Sequence, residues 1–268
     1  MYTKKTKRNK IDKCNICLKT TELTWDHVPP QGCLNFNKVE ITSFFNKLAG
    51  HGIYEKTMVS QNGLKYRTIC KTCNSLLGAK YDEELNNLVK TLTLFVNSDL
   101  LIPQRTSLNV KPLPIIKSVI GHILAAKKEL DAAKFDTTYR EFVLDEKSPI
   151  PDNLNLFYWI YPYENTIIMR DFVMPIKRDG DLKNTAFFQL LKFFPLAFLL
   201  TEVENYQGLS SLTTNKSITM ESKIDIPFNF NIQHDQFWPA TVGKNDILVM
   251  SKETLNSVFI TNKKTKHQ

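Results

Sequence analysis

Two C-x-x-C pairs constrain this 268-residue chain more than any other feature: Cys14 and Cys17 in CNIC, and Cys70 and Cys73 in CKTC. A two-residue spacer lets both thiolates of a pair reach one ion. Two pairs therefore read as a single tetrahedral zinc site with four thiolate ligands, with redox-active or merely buried thiols as the alternative. The loop from Cys17 to Cys70 is longer than in a compact zinc ribbon, which predicts an insertion at about residues 31–60. Cys33, the fifth cysteine, reads as a small buried hydrophobe.

The chain is 42% hydrophobic and 11% aromatic, enough to bury a sizeable core, and its length suggests two modest domains. MYTKKTKRNK is followed by polar sequence and not by an apolar signal segment, and the longest apolar run, FFPLAFLL at 193–200, is far short of the roughly 20 residues that cross a bilayer. A soluble cytoplasmic protein with no membrane partner is expected. The formal charge of +8 suggests a polyanionic partner, yet five basic residues fall in the first ten positions and three in the last six, which leaves the chain between them neutral. Residues 1–11 and 263–268 thus read as basic tails that raise non-specific affinity without defining a site.

Between the pairs, ELTWDHV reads as a short strand with Leu23, Trp25 and Val28 as its apolar members, and it carries Asp26 next to His27. MVSQNGLKYRTIC reads as extended chain around an Asn62-Gly63 turn. A helix opens at Asn74, with Gly78 a point of break or bend, and a short helix is expected in ITSFFNKLAG. Strand, insertion, strand and helix, closed by zinc at the base, make a ββα unit over residues 12–100.

From about Pro103 to residue 262 the pattern is α+β with a mainly antiparallel sheet. PLPIIKSVIGHILAAKKELDAA reads as a core helix with His122 packed or at the surface. LNLFYWIYPYENTIIMRDFVMPI reads as two strands about Tyr163-Glu164-Asn165, and TAFFQLLKFFPLAFLLTEV as one or two buried strands interrupted at Pro195. ITMESKIDIPFNF and NDILVMS add further strands. The aromatics of FYWIYPY and Phe237-Trp238 read as core, or else as a surface that stacks on a base.

The C-x-x-C, the Asp-His followed by proline, and the C-x-x-C-Asn resemble the HNH endonucleases of the ββα-metal type, in the subgroup with a structural four-cysteine zinc. DHVPP, and the CN followed by DEE, are similar to HNH nucleases of bacterial anti-phage and restriction systems, including those triggered by cyclic oligonucleotides. The resemblance covers about a third of the chain. It implies that His27 is the general base, that Asp26 and Asn74 hold a catalytic divalent cation (Mg2+, or Mn2+ or Ni2+), and that the substrate is DNA, with RNA left open. Residues 103–262 would then supply target recognition, regulation, or assembly as a homo-oligomer or with a partner protein of a defence system.

Phosphodiester hydrolysis needs a base that titrates near neutral pH, which histidine supplies, and a cation that polarises the phosphate, for which a carboxylate and an amide oxygen are suitable ligands. Successive residues of a regular strand point to opposite faces, so Asp26 and His27 share one metal only through a local distortion. Lys65, Arg67 and Lys71 are placed to hold phosphates or, equally, form a solvated surface. One departure from the HNH pattern stands out. The asparagine that usually precedes the second pair and orients the base has no evident counterpart: Lys65 lies there, and Asn62 and Asn35 are the nearest substitutes. His51, in GHG, is a further candidate ligand, or a loop residue. Asp26, His27 and Asn74 favour a nuclease, whereas the missing asparagine favours a non-catalytic, zinc-stapled nucleic-acid-binding module.

Overall fold

The computed structural model describes residues 6–34, 38–48, 57–100, 102–130, 134–175, 185–206, 208–231, 234–242, 246–247 and 257–262. Asn35 and His51 lie outside the described residues. The fold is α+β with mostly antiparallel sheets and few helices. Among the described residues, no helix is long and apolar enough to cross a membrane.

A small sheet joins β1 (Ile11–Lys13), β2 (Thr20–His27) and β5 (Lys65–Cys70), in the order β1-β2-β5 and antiparallel throughout. Helix α2 (Lys71–Leu76) starts directly after β5, with Cys70 as its N-cap, three residues earlier than the sequence suggests. The expected disturbance at Gly78 is a π-turn over Leu77–Tyr81, after which α3 (Asp82–Val96) continues. An added Cβ at Gly78 meets nothing within 4 Å, so glycine is not required there by space. The turn instead places Leu77 and Tyr81, both fully buried, on the inward side.

The insertion does not stand apart from the remainder. Its strands β3 (Val39–Thr42) and β4 (Met58–Ser60) form one edge of an eight-stranded sheet. That sheet also holds β7 (Asn155–Ile160), β8 (Thr166–Pro175), β9 (Thr185–Phe193), β10 (Leu196–Thr201), β11 (Ser210–Ser211) and β15 (Ser257–Asn262), in the order β11-β7-β10-β9-β8-β15-β3-β4. Strands β9 and β10 turn at Phe194-Pro195, as the proline suggests. The strands on either side of Tyr163-Glu164-Asn165 both form, but β9 and β10 lie between them, because β7 pairs with β10 and β8 with β9 in a Greek-key arrangement. Strand β12 (Ile224–Asn229) pairs with β6 (Arg105–Val110), and β13 (Thr241–Val242) with β14 (Asp246–Ile247); the rest of NDILVMS lies outside the described residues.

Alternation along the large sheet buries both faces. Leu156, Tyr158, Leu191, Phe193, Phe198 and Leu200 enter one cluster, and Phe157, Met169, Phe188, Leu190 and Leu199 the other. The short helix α1 (Phe44–Leu48) covers the second face through Phe44. Helix α4 (Pro112–Ala125) lies in the first cluster with every residue buried. Gly121 lets α4 approach the π-turn, since a Cβ there would stand 2.3 Å from Leu77 Cδ2.

Lys192 is buried on the second face, under the Tyr161 ring at 4.6 Å, and donates to the carbonyls of Gln236 and Trp238. Burial pushes its amine down to about 7. The unfolded chain binds this proton up to the ordinary lysine range and the folded chain does not, so stability rises as pH is raised from about 7 towards 10. Urea unfolding across that range should show this rise in the wild type and a smaller one in Lys192→Met.

Candidate metal centre and catalytic face

The first cysteine pair sits in the turn between β1 and β2, and the second spans the end of β5 and the first turn of α2, so strand pairing itself brings them together. All four Sγ atoms lie within 4.8 Å of one another, with Cys17 and Cys70 at 3.8 Å. Tetrahedral zinc, with Zn–S of about 2.3 Å, sets its sulfurs about 3.8 Å apart, so the four thiols fit the ion. The Cys73 thiol, which donates to Cys14, holds Cys14 down to about 5, with the Cys70 main-chain N–H assisting at 3.3 Å. Cys73 is driven up in turn by the same contact and by its own burial, and burial raises Cys17. Thiols this close oppose each other's ionisation, and a divalent cation at their centre removes that opposition. Cys33 is buried and donates to Asn86 Oδ1, away from the cluster.

Asn15, inside the first pair, fastens the centre to α4. Its Nδ2 donates to the carbonyls of Leu124 at 3.0 Å and Lys127 at 2.6 Å. Thr68 of β5 donates to the carbonyl of Ala125 at 2.6 Å.

Strand β2 divides its two candidate residues between faces. The ladder with β5 shifts register between Thr24 and Trp25, and beyond the shift Trp25 stands opposite Arg67, Asp26 opposite Tyr66, and His27 opposite Lys65. Irregularities of this kind re-aim side chains. Leu23 is therefore buried, whereas Trp25, two residues on, is 46% exposed and not a core member. His27 is half-buried beside Lys65; burial first, then the Lys65 charge, lower its pKa and keep the ring neutral. Its Nε2 lies 3.1 Å from the main-chain carbonyl of Asn62. A carbonyl only accepts, so Nε2 carries the proton and Nδ1 is the basic nitrogen. Asn62, at φ 57° in the turn that ends with Gly63, thus contributes to orienting His27 through its backbone.

Asp26 points the other way and is 5% exposed. Its Oδ2 meets His122 Nδ1 at 3.0 Å, and His122 Nε2 meets Asp82 Oδ1 at 3.0 Å, with the Ser118 hydroxyl donating to the same oxygen at 2.7 Å. Burial alone would push His122 down, but Asp26 and Asp82 outweigh it and raise its pKa to about 10. Sequence reasoning treats His122 as a packed or surface residue; its one signal was a polar ring in a mainly apolar helix, which has to find partners. Asn74 donates from Nδ2 to Thr24 Oγ1 at 3.3 Å and to the carbonyl of Trp25 at 3.1 Å, and so fixes α2 against β2. Arg67 donates from Nε and Nη2 to the carbonyl of Arg8, and Lys71 is exposed at the start of α2. Among the described residues, the four cysteines make up the one group of three or more His, Cys, Asp or Glu whose ligand atoms all lie within 4.8 Å of one another. No family model, curated protein or solved structure matches the chain.

Two outcomes follow from this geometry. The purified chain is expected to carry one zinc by elemental analysis, and Cys14→Ser to lose both the metal and the soluble fold, since metal binding supplies part of the folding free energy. His122→Leu leaves the buried Asp26 and the partly buried Asp82 without their cation and is expected to cost about 3–5 kcal/mol in denaturant unfolding.

Proposed function

We propose that the chain is an HNH-like endonuclease that hydrolyses phosphodiester bonds of DNA. The observation that supports this reading best is His27: a neutral imidazole at the end of β2, oriented by the Asn62 carbonyl, beside Lys65 on the outward face of a zinc-compatible β2-β5-α2 unit. In this reading His27 Nδ1 takes the proton of the attacking water, and Lys65, Arg67 and Lys71 hold the phosphates. The defence context, and a recognition role for residues 103–262, rest on the resemblance alone.

The catalytic Mg2+, Mn2+ or Ni2+ that the resemblance implies would take its protein donors from Asp26 and Asn74, and Asp26 is turned away from the face that carries His27. Asp26 turns its carboxylate to the inner face and gives one oxygen to His122, while Asn74 is bonded to β2 through its Nδ2 and not its Oδ1. That observation favours a second reading, a nucleic-acid-binding module without catalysis.

Plasmid cleavage, with and without each added cation, separates the two. A nuclease should cut in at least one condition, and His27→Ala should slow it by about 100-fold or more, the usual contribution of a positioned base. Asp26→Asn tells whether Asp26 is a ligand or a structural residue: a ligand's loss abolishes cutting with little change in melting, whereas a structural residue's loss lowers the melting temperature first. Uncut DNA in every condition, with folded zinc-loaded protein, would leave the binding module.

A further inference from the structure

The outward face of the β2-β5 hairpin holds an aromatic residue that neither the zinc centre nor the general base uses. Trp25 is 46% exposed, and it is held in place at both ends. Its main-chain carbonyl accepts from Asn74, and the Arg67 guanidinium lies over its ring at 5.5 Å while donating twice to the Arg8 carbonyl. The other tryptophans are engaged within the fold: Trp238 is stacked on His234 at 3.8 Å and meets the edge of Trp159. A large aromatic fixed at the surface presents area for stacking with little entropy left to lose.

Position adds to this. Trp25 and His27 are two residues apart on one strand, about 6–7 Å at the strand repeat, and face outward together. Arg67 and Lys65 stand directly across from them. Lys71 is exposed at the start of α2, and the acid of this strand stretch, Asp26, is turned inside against His122. The face therefore combines cations with one aromatic plane, the pairing by which proteins hold single strands. Bases within a duplex are already stacked on one another, about 3.4 Å apart, so a base that meets an indole there has first to be unstacked at a cost of a few kcal/mol.

We propose that Trp25 is a stacking platform for an unpaired nucleobase, so that the strand taken by this face is single-stranded or locally opened, with the neighbouring phosphate against Lys65 and His27. This rests on the nucleic-acid reading of the face given above, and not on its catalysis.

The test is binding of a fluorescein-labelled 20-nucleotide oligothymidine, and of a 20-base-pair duplex, to the full zinc-loaded chain without added divalent cation. The single strand should bind more tightly than the duplex. Trp25→Ala should weaken single-strand binding by about 5- to 150-fold, the range that one stacked base supplies, while Trp25→Phe retains most of it. Tryptophan emission should be quenched on binding in the wild type and in Trp238→Phe, and the quenching should disappear in Trp25→Phe. Unchanged affinity in Trp25→Ala with an unaltered melting temperature, or tighter binding of the duplex, overturns the proposal. A wild type that binds neither oligonucleotide overturns it together with the nucleic-acid reading. Trp25-dependent binding without cleavage in any metal supports it while removing the nuclease.

Discussion

A helix with no exposed face must satisfy its last carbonyls inside the protein, and much of this structure is arranged around that requirement. At the C-terminal end of α4 the carbonyls of Ile123, Leu124 and Ala125 are taken by Arg170 of β8, Asn15 of the first cysteine pair and Thr68 of β5. Each such group left unpaired would cost about 1–3 kcal/mol. The donors come from three distant parts of the chain, so the end of one helix specifies how the cysteine centre, the small sheet and the large sheet meet. Arg170 also forks onto Asp136 of α5 (Lys134–Leu144), at 2.9 and 3.1 Å, and Arg140 of the same helix donates to the Asn15 carbonyl at 2.7 Å. Asn15 is thereby held on both its side chain and its backbone, in the middle of CNIC.

The same helix decides what Asp26 does. His122 lies one residue from Gly121, the point of closest approach to the π-turn, and reaches both Asp26 and Asp82. An imidazole between the buried Asp26 and the partly buried Asp82 supplies positive charge where a bare Asp26 would be too costly to bury. A single strand thus carries two kinds of chemistry on its two faces. Asp26 is tied into the interior, and His27 is left at the surface with its basic nitrogen set by the Asn62 carbonyl.

What could be read from the sequence was what local spacing controls. The cysteine pairs, the buried helix after Pro112, the break at Pro195 and the short helix at Phe44 all follow from neighbours within a few residues. The face on which Trp25 lies was not legible, because period-two alternation from Leu23 places it inward and a register shift opposite Thr68 reverses that. The contact that helps orient His27 was hidden for another reason: it comes from a main-chain carbonyl, which any residue possesses, so no side-chain pattern marks it. His122 could be recognised as needing partners, but Asp26 and Asp82 are distant in sequence and nothing local pairs them with it. The separation of β7 from β8 is a matter of sheet order, which strand patterns do not encode.

The edge formed by β3 and β4 has a bearing on how the chain comes to be folded. β3 lies between the two cysteine pairs and pairs with β4 on one side, yet its neighbour on the other side is β15, and Thr42 bonds Phe259 across 217 positions. At a synthesis rate of about 5–20 residues per second, β3 waits roughly 10–40 s for that partner to be made. An open strand edge is prone to wrong partners for as long as it waits. The thiol centre closes the loop that contains β3 from residues already made by position 73, so early metal capture would tether this waiting strand to a formed unit while the rest of the sheet is still being synthesised.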